Sequence, residues 1–345
     1  MMLSALRHWA PFQIDALGLV TMLGADDINL TVGRLVYSRF TEYLPVLGAF
    51  IIANNEMTKP IPGFVAYNIT DGIMATDVTG WFSRWLLCQD FTTCSTTLRL
   101  VVQPKSNLVK RDAIGLFIGI LSMAPVIIFP VIMGDWWGFV NSMSMLISII
   151  VRKVIVHQNR TAISRSALQA YDTSSEAVKT FWTLPTGTVV TIYTPRGVLT
   201  NTLLTNPRPG HPRLYKLMRA IGWVGFGCHV ISLGMTTLFN QIVTVAVLLV
   251  STVIVVHRIG EDEHLIGENI AVSRHDDLEE QFRAATYARL ELSEKEEQSM
   301  VLWNLFPHES NTAWWVRYRD CVQRGHGAFK GWDRKLTQQF TESEV

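Results

Sequence analysis

The stretch AIGLFIGILSMAPVIIFPVIM, residues 113–133, decides the fold class of this chain, because none of its 21 residues is charged. A helix of about 20 apolar residues crosses the ~30 Å hydrocarbon core of a bilayer. The two prolines in this stretch would break a helix in water, but membrane-spanning helices tolerate proline. The stretch therefore predicts a membrane-spanning helix.

A second apolar run, residues 136–156, follows after a connection of only two residues. So short a connection predicts an antiparallel helical hairpin over residues 113–156. Tryptophans open this second run, as in the aromatic belts at membrane surfaces. Arg152 and Lys153 fall in its last turns, where we expect their long side chains to reach the lipid headgroups.

A third apolar region, residues 220–256, is too long for one crossing. Its 37 residues would form a helix of about 55 Å, nearly twice the thickness of the hydrocarbon core. We therefore predict a turn at Asn240–Gln241 and a second transmembrane hairpin. Because the half after this turn is short, a tilted or re-entrant hairpin is the alternative.

The apolar regions divide the rest of the chain into three polar parts. Residues 1–112 form a mixed N-terminal region, residues 157–219 a loop and residues 257–345 a tail. Within the N-terminal region, residues 42–53 are too few to span a bilayer comfortably. This segment either crosses the membrane or forms an interfacial or buried helix, while residues 97–103 are predicted to be extended.

The charge distribution predicts the orientation of the hairpins. The loop carries eight basic against two acidic residues, whereas the short connections within the hairpins carry no lysine or arginine. The positive-inside rule places such a loop in the cytosol. By parity, the C-terminal tail is then also cytosolic.

The loop is predicted to contain a small β-meander with strands at 178–184, 189–194 and 198–205. These segments are rich in β-branched and aromatic residues, and Pro-x-Gly sequences separate them. Three strands alone are marginally stable, so we expect this sheet to pack on another element.

The tail is predicted to be helical and acidic. We expect a helix at 278–290, a helix opened by the capping box Ser293–Glu296, and a helix capped by Asn311 or Thr312. The tail has 17 acidic against 11 basic residues, opposite in sign to the loop. Opposite charges predict intramolecular docking of loop and tail; a solvated acidic tail is the alternative.

Two stretches carry a resemblance to known sequences. They are residues 205–235, TNPRPGHPRLYKLMRAIGWVGFGCHVISLGM, and residues 300–320, MVLWNLFPHESNTAWWVRYRD. Both resemble uncharacterised multi-pass integral membrane proteins of filamentous fungi. The resemblance implies a membrane protein and carries no activity or functional residue with it.

The composition excludes several function classes. The chain is 48% hydrophobic and 17% charged with a net charge of +1, so it lacks the basic field of a nucleic-acid-binding protein. The four cysteines are too sparse for a disulfide scaffold and show no zinc-site spacing. No phosphate-binding loop, dinucleotide fingerprint or hydrolase motif is present. We therefore predict no catalytic residue, cofactor or metal.

A polar face within the apolar helices is the candidate site. Its residues repeat at helical spacing on the second and third predicted helices, and they are His229, Asn141, Ser144, Ser148 and Ser232. Small and hydroxyl residues of this kind usually let helices pack closely. The alternative is a polar path centred on His229, because an ionisable side chain within a membrane needs a partner.

These features together predict an α-helical membrane protein with two transmembrane helical hairpins, a small cytosolic β-meander and a helical C-terminal tail. We expect it to be non-enzymatic, to contact the lipid bilayer, and to use its loop and tail as a cytosolic interaction module. The alternative is a small transporter or channel-like protein. Such a protein would be a homo-oligomer, because four helices enclose little pore.

Overall fold

The computed structural model describes residues 25–91, 96–103, 109–276 and 283–325. The helices are α1 (Ala25–Gly33), α2 (Ala49–Asn54), α3 (Gly80–Leu87), α4 (Val109–Met133), α5 (Trp136–Thr173), α6 (Pro212–Met235), α7 (Leu238–Val256), α8 (Arg283–Ala288), α9 (Glu294–Leu302) and α10 (Thr312–Gly325). The strands are β1 (Val36–Ser38), β2 (Val65–Asn68), β3 (Ile73–Ala75), β4 (Thr96–Val102), β5 (Ala177–Thr183), β6 (Val189–Pro195), β7 (Glu261–Ile266) and β8 (Ile270–Asp276).

Four helices, α4 to α7, are long and apolar enough to cross a membrane, with mean hydropathies between 1.3 and 2.5. They indicate a membrane location for this chain. Large apolar side chains such as Phe117 and Val224 are exposed on their outer faces, as expected for surfaces that contact lipid rather than water.

The predicted turn at Asn240–Gln241 is wrong by about four residues. The break between α6 and α7 lies at Thr236 and Thr237, and Asn240 belongs to the first turn of α7. The reason is a tertiary contact, because the amide of Thr237 and the side chain of Asn240 both donate to a carboxylate on another connection.

Helix α5 continues 17 residues beyond its predicted end at Val156. Its 38 residues give a length of about 57 Å. The added part has buried apolar residues at helical spacing, including Ile163, Ala167 and Ala170. This apolar stripe packs into the same core as the sheet, which explains why the polar loop sequence folds as a helix here.

The strands form one mixed sheet with the order β1-β7-β8-β4-β6-β5-β2-β3. The predicted hairpin of β5 and β6 is present, with Phe181 paired to Thr191, and the predicted extended segment is β4. However, the sheet is much larger than a meander of the loop. It also contains strands from the N-terminal region and from the tail, and β4 joins β6 in parallel.

The predicted third strand, residues 198–205, is wrong. Residues Arg196–Val198 form a helical turn and Leu199–Leu203 a π-helical turn. Gly197 lies so close to the end of α5 that a Cβ atom there would meet the carbonyl oxygen of Ala170 at 2.2 Å. This close approach turns the chain away from the sheet, so β-branched composition does not decide the local structure.

Alternate residues of β5 face two different layers. Trp182 packs on α3, with 5.2 Å between its ring centroid and that of Phe82. Phe181 points to the other side, where its ring lies 5.2 Å from that of Tyr287 in α8. The sheet is therefore covered by α3 and the end of α5 on one face and by the tail helices on the other.

The tail packs on the sheet mainly through aromatic contacts. Phe306 is buried among the rings of Tyr287, Trp314 and Tyr318. The predicted capping box of Ser293 and Glu296 is present and opens α9, which ends at Leu302. The Nζ atom of Lys179 in β5 lies 3.9 Å from the carboxylate Oε2 of Glu296 in α9. The attraction between separate loop and tail segments stays a prediction.

Residues 42–53 do not form a membrane-length helix. Only Ala49–Asn54 is helical, and six residues span about 9 Å. Leu47, in the non-helical part, packs in one core cluster with Met123 of α4 and Leu248 of α7. The segment is therefore inserted among the long helices.

Candidate functional site

The predicted polar face is buried between helices. Asn141 of α5 is fully buried and donates a 3.2 Å hydrogen bond to the hydroxyl of Thr244 in α7. Ser144 and Ser232 are also buried, and both hydroxyls donate to carbonyls of their own helices. Ser148 is half-buried and donates to the carbonyl of Ser144.

His229 of α6 lies within this face without the expected partner. It is 6% exposed, and its Nδ1 atom has no hydrogen-bond partner among the described residues. Nearby, Gly225 of α6 approaches Ile147 of α5 so closely that a Cβ atom would meet that side chain at 3.1 Å. The face therefore brings α5 and α6 into close contact and leaves one imidazole nitrogen unpaired.

A small cavity adjoins His229. Its volume is about 30 Å³, and Ser148, Arg152 and His229 contribute its polar lining. A cavity of roughly 10–15 Å³ or more holds a water molecule when polar partners are available. The cavity is thus of water size, and two of the five predicted polar residues, Ser148 and His229, line it.

Arg152 has a different role from the one predicted. It is 6% exposed and does not reach outward to headgroups. Its guanidinium donates to the backbone carbonyls of Thr41, Glu42 and Leu44, at 3.3, 3.0 and 2.6 Å. Non-helical backbone among membrane helices requires such partners, because unpaired carbonyls are costly to bury. Arg152 therefore holds the inserted segment in place.

Glu42 connects the inserted segment to α5 through its carboxylate. It accepts a 2.7 Å hydrogen bond from Arg160 and lies 3.5 Å from Lys153. Burial alone would raise the pKa of Glu42, but the guanidinium of Arg160 outweighs burial and lowers the pKa to about 2. Lys153 also pairs with Asp112 at 2.7 Å. These charges form a junction between the long helices and the sheet.

Asp135 occupies the connection at the other end of the long helices. Its carboxylate accepts hydrogen bonds from the Thr236 hydroxyl, the Thr237 amide, the Asn240 side chain and the Gly138 amide. Burial raises the pKa of Asp135, yet these hydrogen bonds outweigh it and lower the pKa to about 2. In the sequence, Asp135 is visible only as part of a two-residue connection.

Gly115 and Gly119 of α4 pack against the backbone of the N-terminal region rather than against another helix. A Cβ atom at Gly119 would meet Tyr43 Cβ at 2.5 Å and the Tyr43 carbonyl oxygen at 2.8 Å. Gly115 lies similarly close to the carbonyl of Arg39. The inserted segment therefore runs directly across α4, where only glycine leaves enough room.

An apolar patch lies at one end of the sheet. Strand β3 is the last in the strand order, and Ile73 and Met74 within it are 57% and 53% exposed. Met74 is paired with Tyr67, whose ring lies 5.4 Å from that of Trp303. Leu302, next to Trp303, is 80% exposed. Ile73 and Met74 are adjacent in the strand and therefore face opposite sides of the sheet; we call the exposed apolar residues at this edge, Ile73, Met74 and Leu302, the β3 patch.

The residues in the described parts of the chain include no group of three histidine, cysteine or acidic side chains that would hold a metal ion. Comparisons with protein-family models, with curated proteins and with solved structures found no match to this chain. The geometry of the chain itself therefore carries the functional argument.

Proposed function

We propose that this chain is a non-enzymatic, multi-pass membrane protein whose extramembrane sheet docks an extended segment of a partner protein along β3. In this proposal α4 and α5 form one membrane hairpin and α6 and α7 a second. The short connections at Asp135 and at Thr236–Thr237 support this arrangement. The basic loop places the sheet in the cytosol by the positive-inside rule.

The observation that carries the proposal is the exposed edge of β3. Sheet edges offer unpaired backbone groups, and soluble proteins usually protect them with charged residues, proline or a covering element. Strand β3, Ile-Met-Ala, is short, which limits the pairing it offers, but it contains no charged residue or proline that would block an added strand. An extended peptide would add a strand to this edge, and its apolar side chains would contact the β3 patch.

The junction at Glu42 connects the sheet, where the partner would dock, to the membrane helices. Arg160 donates to the carbonyls of Leu35 and Val36 as well as to Glu42. Strand β1 begins at Val36, so the same guanidinium contacts the sheet and the inserted segment. A partner bound to the sheet would therefore be held at a fixed position relative to the membrane helices.

Site-specific photo-crosslinking tests the docking edge. A photoreactive residue at Met74, in the full chain in its native membrane, is expected to give a discrete adduct with a second protein. The same residue at Thr186, in the exposed turn between β5 and β6, is the matched control. Adding Ile73→Asp should remove the Met74 adduct. Equal adducts from both positions would contradict the proposal.

A second candidate function is a small oligomeric transporter with a polar path near His229. The unpaired Nδ1 of His229 and the water-sized cavity beside Arg152 favour it. His229→Leu in reconstituted liposomes separates the two roles. Loss of proton or solute flux with unchanged assembly supports a path, whereas misassembly supports packing. The molecular mass in detergent reports the oligomeric state.

A further inference from the structure

A groove separate from the β3 patch lies where α6 begins. Its volume is about 300 Å³, and it is bounded by α5, α6, the linker before α6 and the region around Trp81. Three cationic side chains line it, those of Arg208, Lys216 and Arg219, and none of the acidic residues that the structure describes does. The groove is thus large enough for a small ligand and carries a concentrated positive charge.

No carboxylate in the described part of the chain pairs with the cations of the groove. Arg219 donates to the carbonyls of Ala53 and Asn54, which leaves its charge uncompensated. Within the described ranges, Arg208 and Lys216 have no ion pair and are exposed. Cationic side chains that converge without counterions favour an anionic ligand.

The floor of the groove is polar and buried. The Asn159 amide donates a 3.1 Å hydrogen bond to the Tyr215 hydroxyl, which in turn donates to Asn55. Trp81 is 3% exposed, and its indole Nε1 has no acceptor in the described chain. A buried indole N–H normally finds an acceptor.

The surroundings of the groove identify the source of the anion. Leu214 and Leu217, in the first turns of α6, are 40% and 54% exposed beside the cations. Helix α6 then becomes apolar from Ala220 onward. Exposed leucines next to lysine and arginine at the start of an apolar helix are typical of the headgroup level of a bilayer. This arrangement favours the phosphate of a membrane lipid over a soluble anion as the ligand.

We propose that the groove bounded by Arg208, Lys216, Arg219 and Trp81 binds the phosphate group of an anionic membrane lipid. The cations contact the phosphate oxygens, and the acyl chains lie against the exposed leucines. Basic pockets beside membrane helices bind lipid headgroups in this way. This proposal does not depend on docking at β3.

Native mass spectrometry of the full chain released from nanodiscs tests the proposal. The nanodiscs contain phosphatidylcholine alone or phosphatidylcholine with phosphatidic acid. Wild-type protein is expected to retain one phosphatidic acid molecule. The double variant Arg208→Gln, Lys216→Gln loses two charges at about 1 kcal/mol each, which should lower the lipid affinity roughly 30-fold.

Arg213→Gln is the matched control, because Arg213 is exposed in the first turn of α6 but does not line the groove. An equal loss of lipid in this variant would show only a general surface attraction and would overturn the site. Equal thermal stability of all variants in phosphatidylcholine alone would exclude misfolding as the cause. Inorganic phosphate is added to the wild-type protein in phosphatidylcholine nanodiscs as a further test. If it raises the thermal stability as much as phosphatidic acid does, the assignment of the site to a lipid is wrong.

Discussion

The carboxylate of Asp135 accepts a 2.6 Å hydrogen bond from the hydroxyl of Thr236. Asp135 lies between α4 and α5, and Thr236 is the C-cap residue that follows α6. This bond therefore joins the two connections at one end of the long helices. Asp135 is also the N-cap of α5 through the Gly138 amide. One carboxylate therefore fixes the starts of two helices.

Asp135→Ala should destabilise the protein by about 3 kcal/mol, because it leaves several buried donors without their charged acceptor. Chemical denaturation in detergent, followed by circular dichroism, measures this change. Asp172→Ala is the control, since Asp172 is exposed near the end of α5 and should change stability little. A variant as stable as the wild type would show that Asp135 does not hold the connections together.

Glu42→Gln should change the acid stability of the protein. The pKa of Glu42 is lowered to about 2 from a reference value of 4.5. The stabilisation from its charge is therefore complete above pH ~4.5 and is lost as the pH falls through about 2. The wild type should lose stability over this range more steeply than Glu42→Gln does.

At neutral pH, removing one partner of a buried ion pair costs about 3–5 kcal/mol, so Glu42→Gln should also be less stable there. Denaturation curves at a series of pH values measure both effects. Glu309→Gln, at an exposed position, serves as the control. Identical pH profiles for Glu42→Gln and the wild type would argue against the ion pair with Arg160.

Gly119→Ala should destabilise the protein by about 1–3 kcal/mol, the usual cost of overpacking. The new methyl group would meet the backbone of Tyr43, which is held among the long helices. Gly227→Ala in α6 is a close control, because a Cβ atom there meets nothing within 4 Å. Thermal midpoints in detergent should fall for the first variant and stay level or rise for the second.

Phe306→Ala should loosen the tail from the sheet. Phe306 is 2% exposed and contacts several aromatic rings, and truncating a buried phenylalanine costs about 3–5 kcal/mol. Hydrogen exchange in α10 is expected to accelerate while exchange in α5 is unchanged. Leu302→Ala, at an exposed position, should leave both unaffected. Equal exchange in α10 of Phe306→Ala and the wild type would contradict this packing.

The sequence predicts the features of this fold that are local. Apolar length predicts four helices, and β-branched segments around a Pro-x-Gly turn predict β5 and β6. The capping box at Ser293 predicts the start of α9. In each case residues that are close together in the sequence determine the local structure, so a short window of sequence contains the necessary information.

Contacts between distant segments could not be predicted. Arg152 has the position of a side chain that reaches the headgroups, but carbonyls more than 100 residues away hold it inside. The parallel pair of β4 and β6 joins Thr97 to Thr191, and no local pattern specifies such a pairing. Within the candidate site, spacing places His229 and Ser232 on one helix face, yet it does not indicate that Asn141 bonds Thr244.

The interleaved strand order has a consequence for synthesis of the protein. Strand β1 pairs with β7, and β4 pairs with β8, but β7 and β8 follow the last long helix. While a ribosome is still synthesising α7, β1 and β4 therefore have no β7 or β8 to pair with. The sheet can close only after every hydrophobic helix has been translated. A nascent chain halted before residue 261 would therefore present open strands to chaperones and quality-control proteases.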